Sequence, residues 1–112
     1  MSVMQYTVLE QGELIPGRGV RGYFRKVTVS DGKVLGVEGS HAVLVMPGDD
    51  VEAAIADINQ HLTTQKNPWP PIRQEDIDAF VGVCRVLHTP EIVAAYQALK
   101  ASREAAFQAP QP

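Results

Sequence analysis

Residues 22–38 read GYFRKVTVSDGKVLGVE, and this stretch decides the fold. Side chains alternate between the two sides of an extended chain. The alternation places Tyr23, Arg25, Val27 and Val29 on one side, and Phe24, Lys26 and Thr28 on the other. Asp31-Gly32 follows at once and supplies the positive φ angles of a tight hairpin turn. The stretch therefore predicts a strand over 22–29, a turn over 30–33 and a return strand over 34–38.

The flanking residues extend this hairpin into a sheet. Residues 5–10 (QYTVLE) and 41–46 (HAVLVM) are rich in β-formers and predict two further strands. Residues 11–21 contain three glycines and a proline, which indicates a loop or an irregular hairpin connection. Gly39-Ser40 indicates a second tight turn. We therefore expect an antiparallel meander of three to four strands over residues 5–46. The pairing of the first strand stays open.

Helical patterns fill the second half of the chain. Asp49 is the predicted N-cap of a first helix over about 50–63, with Glu52 as its capping-box partner. Apolar residues at helical spacing predict a second helix over about 74–87. Thr89 and Pro90 open a third over about 90–107. Its expected buried face consists of Ile92, Ala95, Tyr96, Leu99 and Phe107.

These elements predict a single α+β domain over residues 1–107. The proline-rich linker 63–71 separates the first two helices and contains the one tryptophan, Trp69. The large apolar ring of Trp69 is unfavourable in water, so we expect it to pack on the core or on a partner. Residues 108–112 (QAPQP) are expected to be a disordered tail.

Composition narrows the class of protein. The chain has 112 residues, a hydrophobic share of 45% and a net charge of −3. Such values are typical of a single globular domain and argue against wholesale binding to nucleic acid or to a membrane surface. The start lacks a signal-peptide pattern, and no apolar run is long enough for a membrane helix. We therefore expect a cytoplasmic protein that folds without a disulfide, since Cys84 is its only cysteine.

One basic segment, residues 18–26, stands out in the first half of the chain. Arginine binds phosphate through a bidentate fork, and exposed aromatic rings can stack on bases. Residues 1–48 nevertheless carry five basic and four acidic groups, a net of +1. The segment and the tryptophan together give the candidate interaction surface: Arg18, Arg21, Tyr23, Arg25, Lys26 and Trp69.

Other constellations have simpler explanations. Cys84 and His88 share a helical face, but Cys84 belongs to the apolar stripe and further ligands are missing. The acidic groups Asp49-Asp50 and Glu75-Asp76 fall in the first turns of helices, where the helix dipole favours negative charge. The glycines of 17–22 open a strand, whereas a phosphate-binding loop opens a helix. We therefore expect no catalytic residues, no metal and no cofactor.

By elimination, the sequence predicts a small non-enzymatic module for protein binding or assembly, with self-association as one form. Small chains without catalytic motifs are common among accessory proteins of phages and mobile elements, and we expect this setting. The alternative is a nucleic-acid-binding protein that uses the basic hairpin Arg18–Lys26.

Overall fold

The computed structural model describes residues 3–108. It contains three strands followed by three helices: β1 (Val3–Ile15), β2 (Gly19–Ser30), β3 (Lys33–Val45), α1 (Val51–Thr64), α2 (Gln74–Leu87) and α3 (Pro90–Gln108). The strands form one antiparallel sheet in the order β1-β2-β3. The predicted α+β fold is confirmed, and the first strand pairs with β2. Most of the predicted tail, residues 109–112, lies outside the described residues.

The β2–β3 hairpin closes as its sequence predicts. Asp31 and Gly32 both have positive φ angles, 51° and 78°. Two successive positive φ angles give a turn whose twist matches that of the strands it joins. Ser30 and Lys33 face each other across the turn, which fixes the pairing of the segments beyond it.

Residues 11–21 contain a hairpin connection, which is one of the two predictions for them, but it is much shorter than the predicted segment. β1 continues to Ile15 and β2 begins at Gly19, so only Pro16 to Arg18 connect them. Two glycines at the start of β2, Gly19 and Gly22, make room for side chains that pack against the strand. A Cβ on Gly22 would lie 2.8 Å from Phe80 Cε2, and one on Gly19 would lie 2.5 Å from Met46 Sδ.

The predicted turn at Gly39-Ser40 is wrong, because β3 runs without a break from Lys33 to Val45. Phe24 pairs with His41 and Lys26 pairs with Glu38, so two residues of β3 oppose one residue of β2. This is a β-bulge, and Gly39 supplies its positive φ angle of 76°. The sheet therefore has three long strands.

Helices α1 and α2 lie on one face of the sheet, and α3 contacts the β1–β2 turn at Gly17. α2 matches its predicted bounds, and α1 begins and ends one residue later than predicted. The N-cap of α1 is Asp50, which accepts a hydrogen bond from Ala53 N, whereas the predicted cap Asp49 accepts from Met46 N. The core joins these helices to the sheet and comprises Val20, Phe24, Val43, Val45, Ile55, Leu62, Trp69, Ile72, Phe80 and Cys84.

The linker between α1 and α2, residues 65–73, crosses the helix-covered face of the sheet as a strap. At the β3 edge, the Trp69 ring lies edge-on to His41, with centroids 4.8 Å apart. At the β1 edge, Thr7 Oγ1 donates to Pro70 O at 2.5 Å, and Thr7 forms a parallel bridge with Ile72. The strap thus ties both edge strands to the helical layer.

The sheet extends far beyond the strap. The described chain measures 69 × 30 × 19 Å, which is elongated for its length. A strand of twelve residues spans about 40 Å, and the helices cover only the part nearer the β1–β2 turn. The remainder, Val3–Tyr6 with the hairpin 27–37, projects as an arm in which residues 31–40 are all exposed.

The predicted buried face of α3 is wrong. Ile92 and Tyr96 are half-buried, Ala95 and Leu99 are exposed, and Phe107 is 88% exposed. The helix is held at its start, where Ile92 N donates to Thr89 Oγ1 at 3.3 Å. Helical spacing shows which residues share a face, but it does not show that another element covers that face.

Gly39→Ala tests the contact between the bulge and the strap. The new Cβ would collide with the Trp69 ring, lying 2.7 Å from Cη2 and nearer still to Cζ2, and alanine tolerates the positive φ angle poorly. We expect the free energy of unfolding to fall by at least about 2 kcal/mol. Urea unfolding followed by Trp69 fluorescence measures the loss.

Gly36→Ala is the matched control on the same strand, since no atom lies within 4 Å of its added Cβ. We expect a change within about 0.5 kcal/mol for this variant. Equal unfolding midpoints for the two variants would show that the strap does not depend on the bulge.

Candidate interaction surface

The pairing register assigns the strand residues to two faces of the sheet, because directly opposed residues point the same way. The helix-side face carries the core residues Val20, Phe24 and Val43. None of the described helices lies against the other face, which we call the open face. On β2 it presents Arg21, Tyr23, Arg25, Val27 and Val29, in agreement with the predicted alternation.

The open face is polar in the half nearer the β1–β2 turn. Arg21 Nη1 lies 3.1 Å from Glu13 Oε1, and the Tyr23 hydroxyl donates to the same oxygen at 2.5 Å. Arg25 forms an ion pair with Glu10 across the strands. Each arginine on this half therefore already has a carboxylate partner.

The open face is apolar on the arm. Two rows of opposed residues cross all three strands there and form what we call the distal patch: Met4, Val29, Val34, Tyr6, Val27 and Val37. Val34 is 61% exposed, Met4 52% and Val37 48%. The patch contains no charged group and is contiguous across the width of the sheet.

The helix-side face of the same arm has the opposite character. One row of this face consists of Gln5, Thr28 and Gly36, and the next consists of Val3, Ser30 and Lys33. Val3 is the one large apolar residue in these two rows. The apolar side of β2 thus changes face between Phe24 and Val27. A strand normally keeps its apolar residues on the face that packs against the core. The arm therefore leaves its apolar residues on the face that the described helices do not cover.

The six residues of the predicted interaction surface do not lie together. Arg21, Tyr23 and Arg25 share the polar half of the open face. Lys26 points to the helix side of the sheet. Its side chain is 12% exposed, and its Nζ lies 2.5 Å from Glu38 Oε1.

Arg18 and Trp69 lie away from the open face. Arg18 occupies the β1–β2 turn with a φ angle of 67°, and its carbonyl oxygen lies 2.7 Å from His88 Nε2. Trp69 is 7% exposed and belongs to the core. The packing of Trp69, which the sequence left open, is therefore inside the domain.

The fold brings together two histidines that the sequence separates. His41 on β3 and His61 on α1 have ring centroids 5.5 Å apart, and His41 also contacts Trp69. Within residues 3–108, no three His, Cys, Asp or Glu side chains are grouped in a way that suits a metal ion. The histidine pair therefore extends the packing around the strap.

Cys84 and His88 line a common cavity of about 200 Å³ beside Val45 and Val93. Cys84 is buried, and this burial raises the pKa of its thiol. The His88 ring contacts the Arg18 carbonyl oxygen and so helps to hold the β1–β2 turn against the α2–α3 joint.

The comparisons give no relative from which a function can be transferred. No protein-family model, no curated protein and no solved structure matches the chain. Among the described helices, none is both long and apolar enough to cross a membrane.

The burial of Cys84 predicts that its thiol reacts slowly in the native protein. Because burial raises its pKa, the Cys84 thiol is protonated at pH 7. This group therefore lowers the free energy of unfolding only as the pH rises past the ordinary thiol pKa of about 8.5. We expect DTNB to label the native protein at least about 100-fold more slowly than the urea-unfolded protein at pH 8. Equal rates in the two states would place the thiol at the surface.

Proposed function

We propose that this protein is a small non-enzymatic module for protein binding or assembly, and that the distal patch is its contact surface. The proposal rests on one observation. The apolar residues of β2 lie on the helix side of the sheet as far as Phe24 and on the open face from Val27 onward. We assign the protein to the cytoplasm and to the accessory proteins of a phage or mobile element, as its size and composition suggest.

Burial energetics support this role for the distal patch. Apolar surface gains about 25 cal/mol for each Å² removed from water, yet the folded chain leaves Val34, Val37 and Met4 about half exposed. Contiguous exposed apolar patches on folded proteins commonly mark interaction sites. Two valines placed on the outward side of an otherwise uncovered hairpin fit a surface that becomes buried on assembly.

The alternative function, nucleic-acid binding through Arg18–Lys26, has weaker support. Arg21, Arg25 and Lys26 each form an ion pair with a glutamate, which lowers the positive potential available to phosphate. Tyr23 donates its hydroxyl to Glu13. The segment that looked basic in sequence is thus close to neutral on the folded surface.

We expect no salt-sensitive binding to a single-stranded oligonucleotide. Fluorescence anisotropy at about 20 mM salt should give the same flat titration for the wild type and for the Arg21→Ala/Arg25→Ala variant. Binding by the wild type that this double variant abolishes would favour the nucleic-acid function instead.

Lysine substitutions on the arm test the proposed function directly. Val34→Lys with Val37→Lys places two charges on the distal patch at exposed sites, so the domain should stay folded. We expect this variant to lose the proteins that the immobilised wild type retains from a lysate of its own cells, and we expect nuclease treatment to leave the wild-type result unchanged. Quantitative mass spectrometry measures the retention.

The matched control is Val83→Lys with Val86→Lys on α2. These valines are 48% and 75% exposed, close to the values for Val37 and Val34, and they lie outside the sheet. The control should retain what the wild type retains. The same loss with both variants would mean that the effect is a general one of added charge, and retention by the arm variant would contradict the proposal.

A further inference from the structure

We infer that Asp31 is a site of spontaneous isomerisation, in which its peptide bond to Gly32 moves from the α-carboxyl group to the side-chain carboxyl group and alters the hairpin of the arm. The isomerisation is independent of the proposed function. Three features of the turn lead to it: the residue that follows the aspartate, the contacts of the carboxylate, and the short ladder that closes the turn.

The reaction consists of two steps that balance without an oxidant, a cofactor or an enzyme. The Gly32 nitrogen attacks the side-chain carboxyl carbon of Asp31, a C–N bond forms, and water leaves as the carboxyl hydroxyl group and the amide proton. The resulting cyclic imide then takes up water. Opening of the imide at the α-carbonyl leaves Gly32 attached through the aspartate side chain, as isoaspartate.

Gly32 obstructs this attack less than any other residue would, because glycine has no side chain beside its nitrogen. The chain has six aspartates, and Asp31 is the only one that precedes a glycine. The other five precede residues that carry a Cβ: Asp50, Val51, Ile58, Ile77 and Ala79. No atom lies within 4 Å of a Cβ placed on Gly32, so the space beside this residue is open.

The contacts of the aspartates also single out Asp31. N–H groups donate to four of the other five carboxylates, which belong to Asp49, Asp50, Asp76 and Asp78. The fifth, Asp57, lies inside α1, where the following amide nitrogen is bonded within the helix. Within residues 3–108, the exposed Asp31 side chain has no hydrogen-bond donor and no ion-pair partner to hold it away from the Gly32 nitrogen.

Ring closure requires the turn to open, and the turn is weakly held. Asp31 has a φ angle of 51°, where an L-residue is strained, so opening relieves this strain. Only two residue pairs, Ser30–Lys33 and Val29–Val34, close the turn before the register shifts. The segment 31–40 is exposed throughout. Exposed segments with few contacts open at a small cost in free energy.

Isoaspartate changes the turn that fixes the arm. The backbone then passes through the Cβ of residue 31 and gains one carbon atom, while the α-carboxylate becomes a side group. A two-residue turn matches the twist of its strands only with the ordinary backbone. The Ser30–Lys33 pair is therefore lost, and Val34 and Val37 of the distal patch lose their fixed register.

Ageing of the folded protein in mildly acidic buffer tests the inference, because the hydroxyl group leaves only from a protonated carboxyl group. Peptide mapping with electron-transfer fragmentation distinguishes the two linkages. We expect isoaspartate at Asp31 to form at least about tenfold faster than at any other aspartate. Its rate should be no less than about a tenth of that in the urea-unfolded protein.

Two results of the ageing experiment would overturn the inference. One is an unchanged Asp31 in the folded protein after the unfolded protein has converted, since the turn would then be held shut. The other is an equal rate at all six aspartates, since the reaction would then not depend on the sequence and contacts of this turn.

Two substitutions at the same position are matched controls. Asp31→Asn keeps a sequence that tight hairpin turns favour, and its amide leaves as ammonia, so in neutral buffer it should form the same imide faster than the wild type. Asp31→Gly also suits the turn but has no carboxyl group, so it should stay unchanged. An Asp31→Asn variant that does not convert while folded would contradict the opening of the turn.

Hydrogen exchange measures the consequence for the arm. In the aged wild type, the amides of residues 33–37 should exchange faster than in the fresh protein, while those of the buried Val43 and Val45 should keep their protection. The aged Asp31→Gly variant should exchange like its fresh form. Unchanged exchange along residues 33–37 of the converted wild type would overturn the effect on the hairpin.

Discussion

The packing of the Trp69 indole against the bulge at Gly39 holds the helical layer in place on the sheet. It fixes the strap, residues 65–73, at the β3 edge, and Thr7 fixes the strap at the β1 edge. Three prolines within the strap restrict its unfolded states and so lower the entropic cost of holding it in place. Because the strap marks where helical cover ends, it divides the sheet into a part that belongs to the core and a part that does not.

Most of the fold could be predicted from local chemistry. Caps and apolar stripes gave the bounds of the helices to within one residue, and Asp31-Gly32 gave the hairpin. The errors concern glycines, because glycine allows either a positive φ angle or a close approach of another group. Gly22 makes room for Phe80, while Gly39 forms a bulge inside a continuous strand. A single sequence does not distinguish these two uses.

The candidate surface was less predictable, for reasons that lie in the tertiary structure. The alternation along β2 was predicted correctly, but its meaning requires knowing which half the helices cover. The arginines of β2 are less available than their sequence indicates, because carboxylates of β1 pair with them. Glu13 stands opposite Arg21 only in the correct register, and Glu10 reaches Arg25 from the β1 bulge. The glycines and the proline of residues 11–21 predict a loop or a hairpin connection around Glu13, so the sequence alone does not give the register that creates the ion pair with Arg21. The exposure of α3 likewise depends on what the other elements leave uncovered.

The change of apolar face along β2 also divides the sheet by its tolerance to substitution. Residues in the part of the sheet that the helices cover determine whether the domain folds. Val27, Val34 and Val37 lie on the arm and contribute little to the core of the domain. Substitutions on the arm should therefore cost less stability than substitutions in the core. The scaffold can stay folded while the surface of the arm varies.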